Sequence, residues 1–186
     1  MEKTLSKHER LILANQYEIL FRLAKDEDEK INFTNLRDIF TSGYSRYYSH
    51  ATEFFSEEVS PQECKFVIQV LNLYRDLYFS RKRNKEALTS IAEENVLFKG
   101  FDLNDDVGSK YYSFYKFIVE QQGGYDYIRE LIKEGKIEGY NSHGFGKNLN
   151  ELERMVMKRQ EIINGRDSIL RANDLTLEEI KEILKP

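Results

Sequence analysis

Residues 60–81 read SPQECKFVIQVLNLYRDLYFSR, and this stretch predicts a long helix at the centre of the fold. Ser60, Pro61 and Glu63 form a helix start, because the serine oxygen and the glutamate carboxylate satisfy free backbone N–H groups while proline has none to satisfy. Apolar side chains then follow two stripes at helical spacing, and the polar strip between them is narrow: Lys65, Gln69, Asn72 and Asp76. We expect such a helix to be covered on nearly all sides.

Similar signals recur along the chain and predict one fold class. Ser6 with Glu9 predicts a capped helix over RLILANQYEILFRLAK (10–25), which is also apolar nearly all round and must be covered by neighbours or by a second subunit. Strand-like alternation is nearly absent. The sequence therefore predicts an all-α, single multihelical domain over residues 1–186. Its other helices are predicted from caps at Asn104, Asn150 and Thr176, with shorter helices near 28–41, 44–56 and 125–134.

Composition limits the classes of function. The net charge is −4, so no overall field draws the chain to a phosphate backbone. The single cysteine, Cys64, cannot form an intrachain disulfide, and the N-terminus shows no signal-peptide pattern. No apolar run approaches the roughly 20 residues that cross a bilayer. We expect a cytoplasmic protein that does not span a membrane.

Several segments stand in one order along the chain: ERLILANQYEIL (9–20), ECKFVIQVLNLYRDL (63–77), FKGFD (98–102), YYSFYKFIVEQQGGY (111–125), HGF (143–145) and LTLEEIKEIL (175–184). Together they resemble the YfbU family. The resemblance implies a compact, all-helical, bacterial cytosolic protein that assembles as an oligomer, and it implies no catalytic residue and no cofactor. It also implies that residues 11–17, 98–102 and 143–145 occupy structurally or functionally special places.

The loop GYNSHGFGK (139–147) is a candidate site. An imidazole can take up or release a proton near neutral pH, so His143 can act as an acid or base if a carboxylate lies close. Lys147 precedes a predicted helix start, where an anion can bind. Asp102 and Asp105 are the acids that an enzyme, or a nucleotide- or RNA-processing protein, would use with them. These four residues define the enzymatic hypothesis.

The same loop also has a structural interpretation, which we favour. Its glycines permit positive φ, Phe145 anchors the loop in the core, and His143 bonds a backbone carbonyl. The acidic stretch 102–109 lacks the glycine and the closing glutamate of a calcium loop, and the histidines show no metal-ligand spacing. The sequence therefore predicts no metal and no cofactor.

A basic patch follows the long helix: Arg81, Lys82, Arg83 and Lys85. Cations near a helix C-terminus satisfy its last carbonyls, and we favour this role over a phosphate or RNA site because the net charge is negative. Binding of a nucleic acid, or of a protein partner, through the patch stays an open alternative.

Tyrosines at helical spacing, with one glutamine, are candidate subunit contacts: Gln16, Tyr17, Tyr44, Tyr48, Tyr74, Tyr78, Tyr111 and Tyr115. Such tyrosines line either a core boundary or an oligomer interface, and spacing does not distinguish the two. The sequence as a whole favours a non-enzymatic homo-oligomer with a binding, scaffold or regulatory role. The enzymatic hypothesis at the His143 loop is the alternative.

Overall fold

The computed structural model describes residues 4–166 and 174–185, while residues 1–3, 167–173 and 186 of the predicted domain lie outside the described residues. Within the described ranges every regular element is helical, apart from one isolated β-bridge. The all-α prediction is confirmed.

The chain divides into two compact units, Met1–Glu57 and Glu58–Pro186. The first unit is a helical hairpin of α1 (Lys7–Leu23) and α2 (Glu27–Ser42), followed by a 3₁₀ turn (Ser45–Ala51). The single domain predicted over the whole chain stays a prediction.

Aromatic rings stack between the elements of the hairpin. The predicted capping box of Ser6 begins α1. Phe40 of α2 is buried, and its ring stacks on Tyr17 of α1 at 5.7 Å and on Tyr48 at 5.2 Å. The only other buried apolar residues of the described part of this unit are Ala14 and Leu36. The hairpin therefore has a thin core of its own.

Helix α1 is not covered as the sequence predicted. Its apolar residues Leu11, Ile12, Ile19, Leu20 and Leu23 are exposed, and only Ala14 of this helix is buried. Of the two coverings that the apolar pattern allowed, the other described residues of this first unit do not provide one for these side chains.

The second unit is built around α3 (Pro61–Arg83), which begins with the predicted Ser60 capping box. Residues on both predicted stripes, among them Val67, Val70, Leu71, Leu73 and Leu77, are fully buried. The prediction of a covered central helix is confirmed. The elements that follow α3 are α4 (Lys85–Ser90), a 3₁₀ turn (Glu93–Val96), α5 (Asp106–Phe117), a π-helical segment (Ile118–Gln122), α6 (Asp126–Lys133), α7 (Leu149–Asn164) and α8 (Leu177–Leu184).

Two helix starts differ from the prediction. Asp105, not Asn104, caps α5, because its carboxylate accepts the N–H groups that begin the helix while Asn104 donates to Asp102. Asn148, not Asn150, caps α7 in a capping box with Glu151. Asn148 and Asn150 each stand three residues before a glutamate, so the sequence allows either as the cap. The cap at Asn148 adds Leu149 to the helix, and Leu149 packs on the core.

The polar strip of α3 does not face water throughout. Asp76, predicted on this strip, is 3% exposed and pairs with Arg159 of α7. Arg159 Nε donates to Asp76 Oδ2 at 2.9 Å, and Arg75 donates to Oδ1 at 3.3 Å. Asn72 accepts a hydrogen bond from the Tyr125 hydroxyl at 3.0 Å. This part of the strip therefore joins α3 to its neighbours.

Two tyrosine hydroxyls, those of Tyr115 and Tyr127, are buried without a hydrogen-bond partner in the described part of the chain. Burial raises the pKa of both phenols well above its usual range, so both stay neutral.

Tyr127→Phe should raise the free energy of unfolding by about 1 kcal/mol, because it removes an unsatisfied hydroxyl and keeps the ring. Tyr125→Phe, which deletes the bond to Asn72, should lower it by about the same amount. Urea denaturation of both variants checks the prediction, and shifts of the same sign would contradict it.

Candidate functional site

The loop 139–148, between α6 and α7, pairs with the segment that precedes α5. Phe101 N donates to Tyr140 O at 3.2 Å, and Ser142 N donates to Phe101 O at 3.1 Å. Gly100 makes this approach possible: its φ is 100°, and a Cβ there would lie 2.0 Å from Tyr140 O. Two segments that the family resemblance marked as special thus meet at one place.

Asn141 organises the turn inside the loop. Its Oδ1 accepts the backbone N–H of Leu103 at 3.2 Å and that of His143 at 3.0 Å. His143 adopts a φ of 49°, in the left-handed region that few residues other than glycine occupy, although asparagine, aspartate and histidine do so more often than the rest. The Asn141 amide therefore ties the loop to the other segment and holds His143 in an uncommon conformation. Sequence reasoning did not single out Asn141, whose only signal was its place in the glycine-rich stretch.

The His143 ring lies at the surface, 3.2 Å from Asn141 Nδ2 through its Nδ1. Within the described residues neither a carboxylate nor a backbone carbonyl bonds the imidazole. The enzymatic hypothesis needed a carboxylate beside the imidazole, and the structural interpretation needed a backbone carbonyl. In this conformation the ring therefore makes neither of the two predicted contacts.

Phe145 does not anchor the loop in the core, so that expectation is wrong. The ring is 79% exposed, because Phe145 N donates to Ser142 O at 2.8 Å and the resulting turn directs the side chain outward. Ser142, which is buried, takes the inner position instead. Gly146 packs against it so closely that a Cβ there would lie 2.8 Å from Ser142 Cβ.

A small cavity of about 150 Å³ brings together Asp102, Asp105 and Lys147. Three of the four residues of the enzymatic hypothesis therefore share one cavity, while His143 is not among its lining residues.

These three side chains already have partners. Asp105 Oδ1 accepts the N–H of Gly108 at 2.6 Å, and Asp102 Oδ1 accepts that of Asn104 at 3.0 Å. Lys147 Nζ lies 2.8 Å from Glu151 Oε1. Asp105 therefore caps α5, and Asp102 stabilises the turn that precedes it.

A larger cavity of about 490 Å³ opens on the other side of residues 145–147. Its lining includes Tyr74 of α3, Lys99, Phe145 and Lys147. Lys147 lowers the pKa of Glu151, which also lines the cavity, and the backbone N–H of Asn148 lowers it further. Burial raises the pKa of Tyr74 far above its usual range, and the Glu151 charge adds to this. The phenol therefore stays protonated beside a carboxylate that stays charged.

The basic patch makes contacts within the chain. Arg81 donates to the carbonyls of Ile91 at 2.6 Å and Leu88 at 3.2 Å, so it satisfies carbonyls at the end of α4, the next helix along the chain. Arg83 pairs with Asp174. Lys82 and Arg83 lie over aromatic rings, and Lys85 is an exposed residue in the first turn of α4. Arg81 and Arg83 of the patch therefore already have hydrogen-bond or ion-pair partners within the second unit.

The candidate contact residues fall into three groups. Three of them belong to the core of the second unit: Tyr74, Tyr111 and Tyr115. Of the two predicted alternatives, core or oligomer interface, the core therefore applies to these three residues. Tyr78 is half-buried and stacks on Tyr127 at 5.5 Å. In the first unit Tyr17 and Tyr48 stack on Phe40, whereas Gln16 and Tyr44 are exposed.

Residues 4–166 and 174–185 show neither a metal-binding cluster nor a membrane-spanning helix. No group of three or more His, Cys, Asp or Glu side chains there is placed to hold a metal ion. No helix in those ranges is both long enough and apolar enough to cross a membrane.

Comparison with known proteins gives one family for the whole chain. The YfbU domain matches residues 3–186. The UPF0304 protein MJECS11 of Methanocaldococcus jannaschii is 31% identical over 182 residues, which cover 97% of this chain and 98% of that relative. Because this relative is archaeal, the bacterial source implied by the resemblance stays a prediction. The name of this relative refers to no activity, ligand or partner.

Proposed function

The chain belongs to the YfbU family, and on that premise we propose that it is a non-enzymatic, cytoplasmic homo-oligomer with a binding role, whose subunits meet through α1. The observation that carries the proposal is the apolar face of α1. Ile12 and Ile19 are 57% and 56% exposed, and Leu23 is 70% exposed. Seven and four residues separate these positions, so they lie on one face of the helix.

An uncovered face of this kind is costly in water. Each square ångström of apolar surface removed from water contributes about 25 cal/mol, and contiguous exposed apolar patches mark interaction sites. The hairpin buries few apolar residues of its own, so it gains more than a well-packed unit from being covered.

The charges of the hairpin favour a second copy as the covering partner. The start of α1 carries Lys7 and Arg10 beside one acid, Glu9, while Glu27, Asp28 and Glu29 stand at the opposite end of the hairpin, in the first turn of α2. When two copies of α1 pair antiparallel about a twofold axis, the basic end of each lies near the acidic end of the other. The apolar stripes then face each other along their length.

Sedimentation velocity at micromolar concentration tests the assembly. The natural chain should sediment as a dimer or larger oligomer, and the double variant Ile12→Glu, Ile19→Glu should sediment as a monomer with an unchanged helical circular dichroism spectrum. Both residues are exposed, so the substitutions leave the hairpin core intact.

The matched control is Leu88→Glu with Met157→Glu, which places the same charges at two exposed apolar helix positions of the second unit. This variant should assemble like the natural chain. A monomeric natural chain, or a double α1 variant that still assembles, would refute the proposal.

The enzymatic alternative has less support. Asp102, Asp105 and Lys147 share a cavity, but each has a partner within the chain, and His143 lies apart from them. No second function is proposed from these residues.

A further inference from the structure

We propose that the 490 Å³ cavity beside residues 145–147 binds a small organic anion, whose carboxylate or phosphate group meets Tyr74 and Lys99 and whose apolar part lies against Phe145. This inference gives the proposed binding role a ligand class, and it does not require the subunit contact through α1.

Tyr74 is the first support for this site. The residue is only 4% exposed, it lines the cavity, and its hydroxyl makes no hydrogen bond with any described residue. A hydroxyl that opens on a cavity and has no partner among the described residues can gain one from a ligand. Because the phenol stays protonated, it offers an O–H donor, which suits an anionic oxygen.

Lys99 is the second support. Of the two lysines that line the cavity, Lys147 is neutralised by Glu151 at 2.8 Å, whereas Lys99 is exposed and forms no ion pair within the described residues. The ammonium of Lys99 is therefore the cation available to a ligand. Glu94 also lines the cavity, so the lining as a whole has no excess charge, and an anionic group is favoured only where it meets Lys99.

A smaller, apolar part of the lining can hold an apolar group. Phe145 exposes most of its ring at the edge of the cavity, and Leu97 and Leu184 also contribute to the lining. The volume lies within the range of about 300–1,000 Å³ that is usual for small-molecule sites. A flat apolar group joined to one carboxylate or phosphate matches this combination.

The test is a titration of the full-length protein followed by two-dimensional amide NMR, with benzoate and phenyl phosphate as the probes. Either probe should shift the backbone amides of Asn95, Lys99 and Gly146 in a saturable way at millimolar concentration. The two probes distinguish a carboxylate ligand from a phosphate ligand. Benzylamine, which has the same ring and the opposite charge, should give no saturable shift.

Two variants assign the binding to the named groups. Tyr74→Phe removes only the hydroxyl and Lys99→Gln only the charge, and each should weaken binding of the probe about tenfold. Tyr127→Phe also removes a buried unpaired hydroxyl, and Lys65→Gln removes a charge from an exposed lysine; neither residue lines this cavity. Both controls should bind like the natural chain.

Three results would overturn the inference: no saturable shift with either anion, equal binding of benzylamine, or binding that Tyr74→Phe and Lys99→Gln leave unchanged. Sedimentation reports separately on the subunit contact. A chain that assembles and binds neither probe refutes only the anion site, and a monomer that binds a probe refutes only the contact.

Discussion

Asp76→Ala is expected to lower the free energy of unfolding by about 3–5 kcal/mol, the largest loss that we predict for a single side chain. Asp76 is buried on α3, and Arg159, which reaches it from α7, is only 11% exposed at its side chain. Removal of the carboxylate leaves the Arg159 charge enclosed without its partner. This uncompensated buried charge then destabilises the contact between α3 and α7.

The loss should depend on burial and not on the ion pair as such. Asp38 forms an ion pair with Arg37 at 3.1 Å, but its side chain is 58% exposed, so Asp38→Ala should cost about 0–1 kcal/mol. The double variant Asp76→Leu, Arg159→Met removes both charges and should recover much of the stability that Asp76→Ala loses. Urea denaturation gives all three values. A loss for Asp76→Ala no larger than that for Asp38→Ala would contradict this account of α3 and α7.

Gly100→Ala is expected to lower the free energy of unfolding by about 3 kcal/mol and to disturb the loop 139–148. At a φ of 100° a side chain costs about 1–2 kcal/mol. The new Cβ would also lie 2.0 Å from Tyr140 O and 2.4 Å from Tyr140 C, both of which are backbone atoms that no rotamer change can move. Relief of this clash must separate Phe101 from Tyr140 and break the hydrogen bonds that hold the loop.

Gly124→Ala is the matched control. Gly124 has a φ of 90°, and a Cβ there meets no atom within 4 Å, so this variant carries the conformational cost alone, about 1–2 kcal/mol. The difference between the two variants in urea denaturation measures the close approach of the two segments. Amide spectra should show changes at Asn141 and His143 for Gly100→Ala and none there for Gly124→Ala. Equal losses of stability would show that the approach at Gly100 is not rigid.

Much of the fold follows from local chemistry that the sequence displays. The capping boxes at Ser6, Ser60 and Thr176 begin helices where they were predicted, because a cap needs only side chains within one turn of the backbone that it satisfies. The central place of α3 follows from its two apolar stripes, since a helix without a wide polar face has no side to present to water.

Errors of the sequence reasoning lie where a side chain's role depends on a distant residue. Asp76 belongs to a polar strip by spacing, yet it is buried because Arg159, 83 positions along the chain, neutralises it. Phe145 is apolar and was expected in the core, yet a turn closed by Ser142 directs it outward. The candidate site shows the same dependence on distant residues. Three of its four predicted residues line one cavity, whereas His143 does not line it.

The sequence by itself determined the family, the all-α class, and the helix that forms the centre of the second unit, because these depend on periodicity, caps and residue order. Only the tertiary structure decided which apolar face stays open, which tyrosines are core residues and which cavity Tyr74 and Lys99 share. Those properties arise from packing between segments far apart in the chain, and helical spacing alone does not specify which segment covers which face.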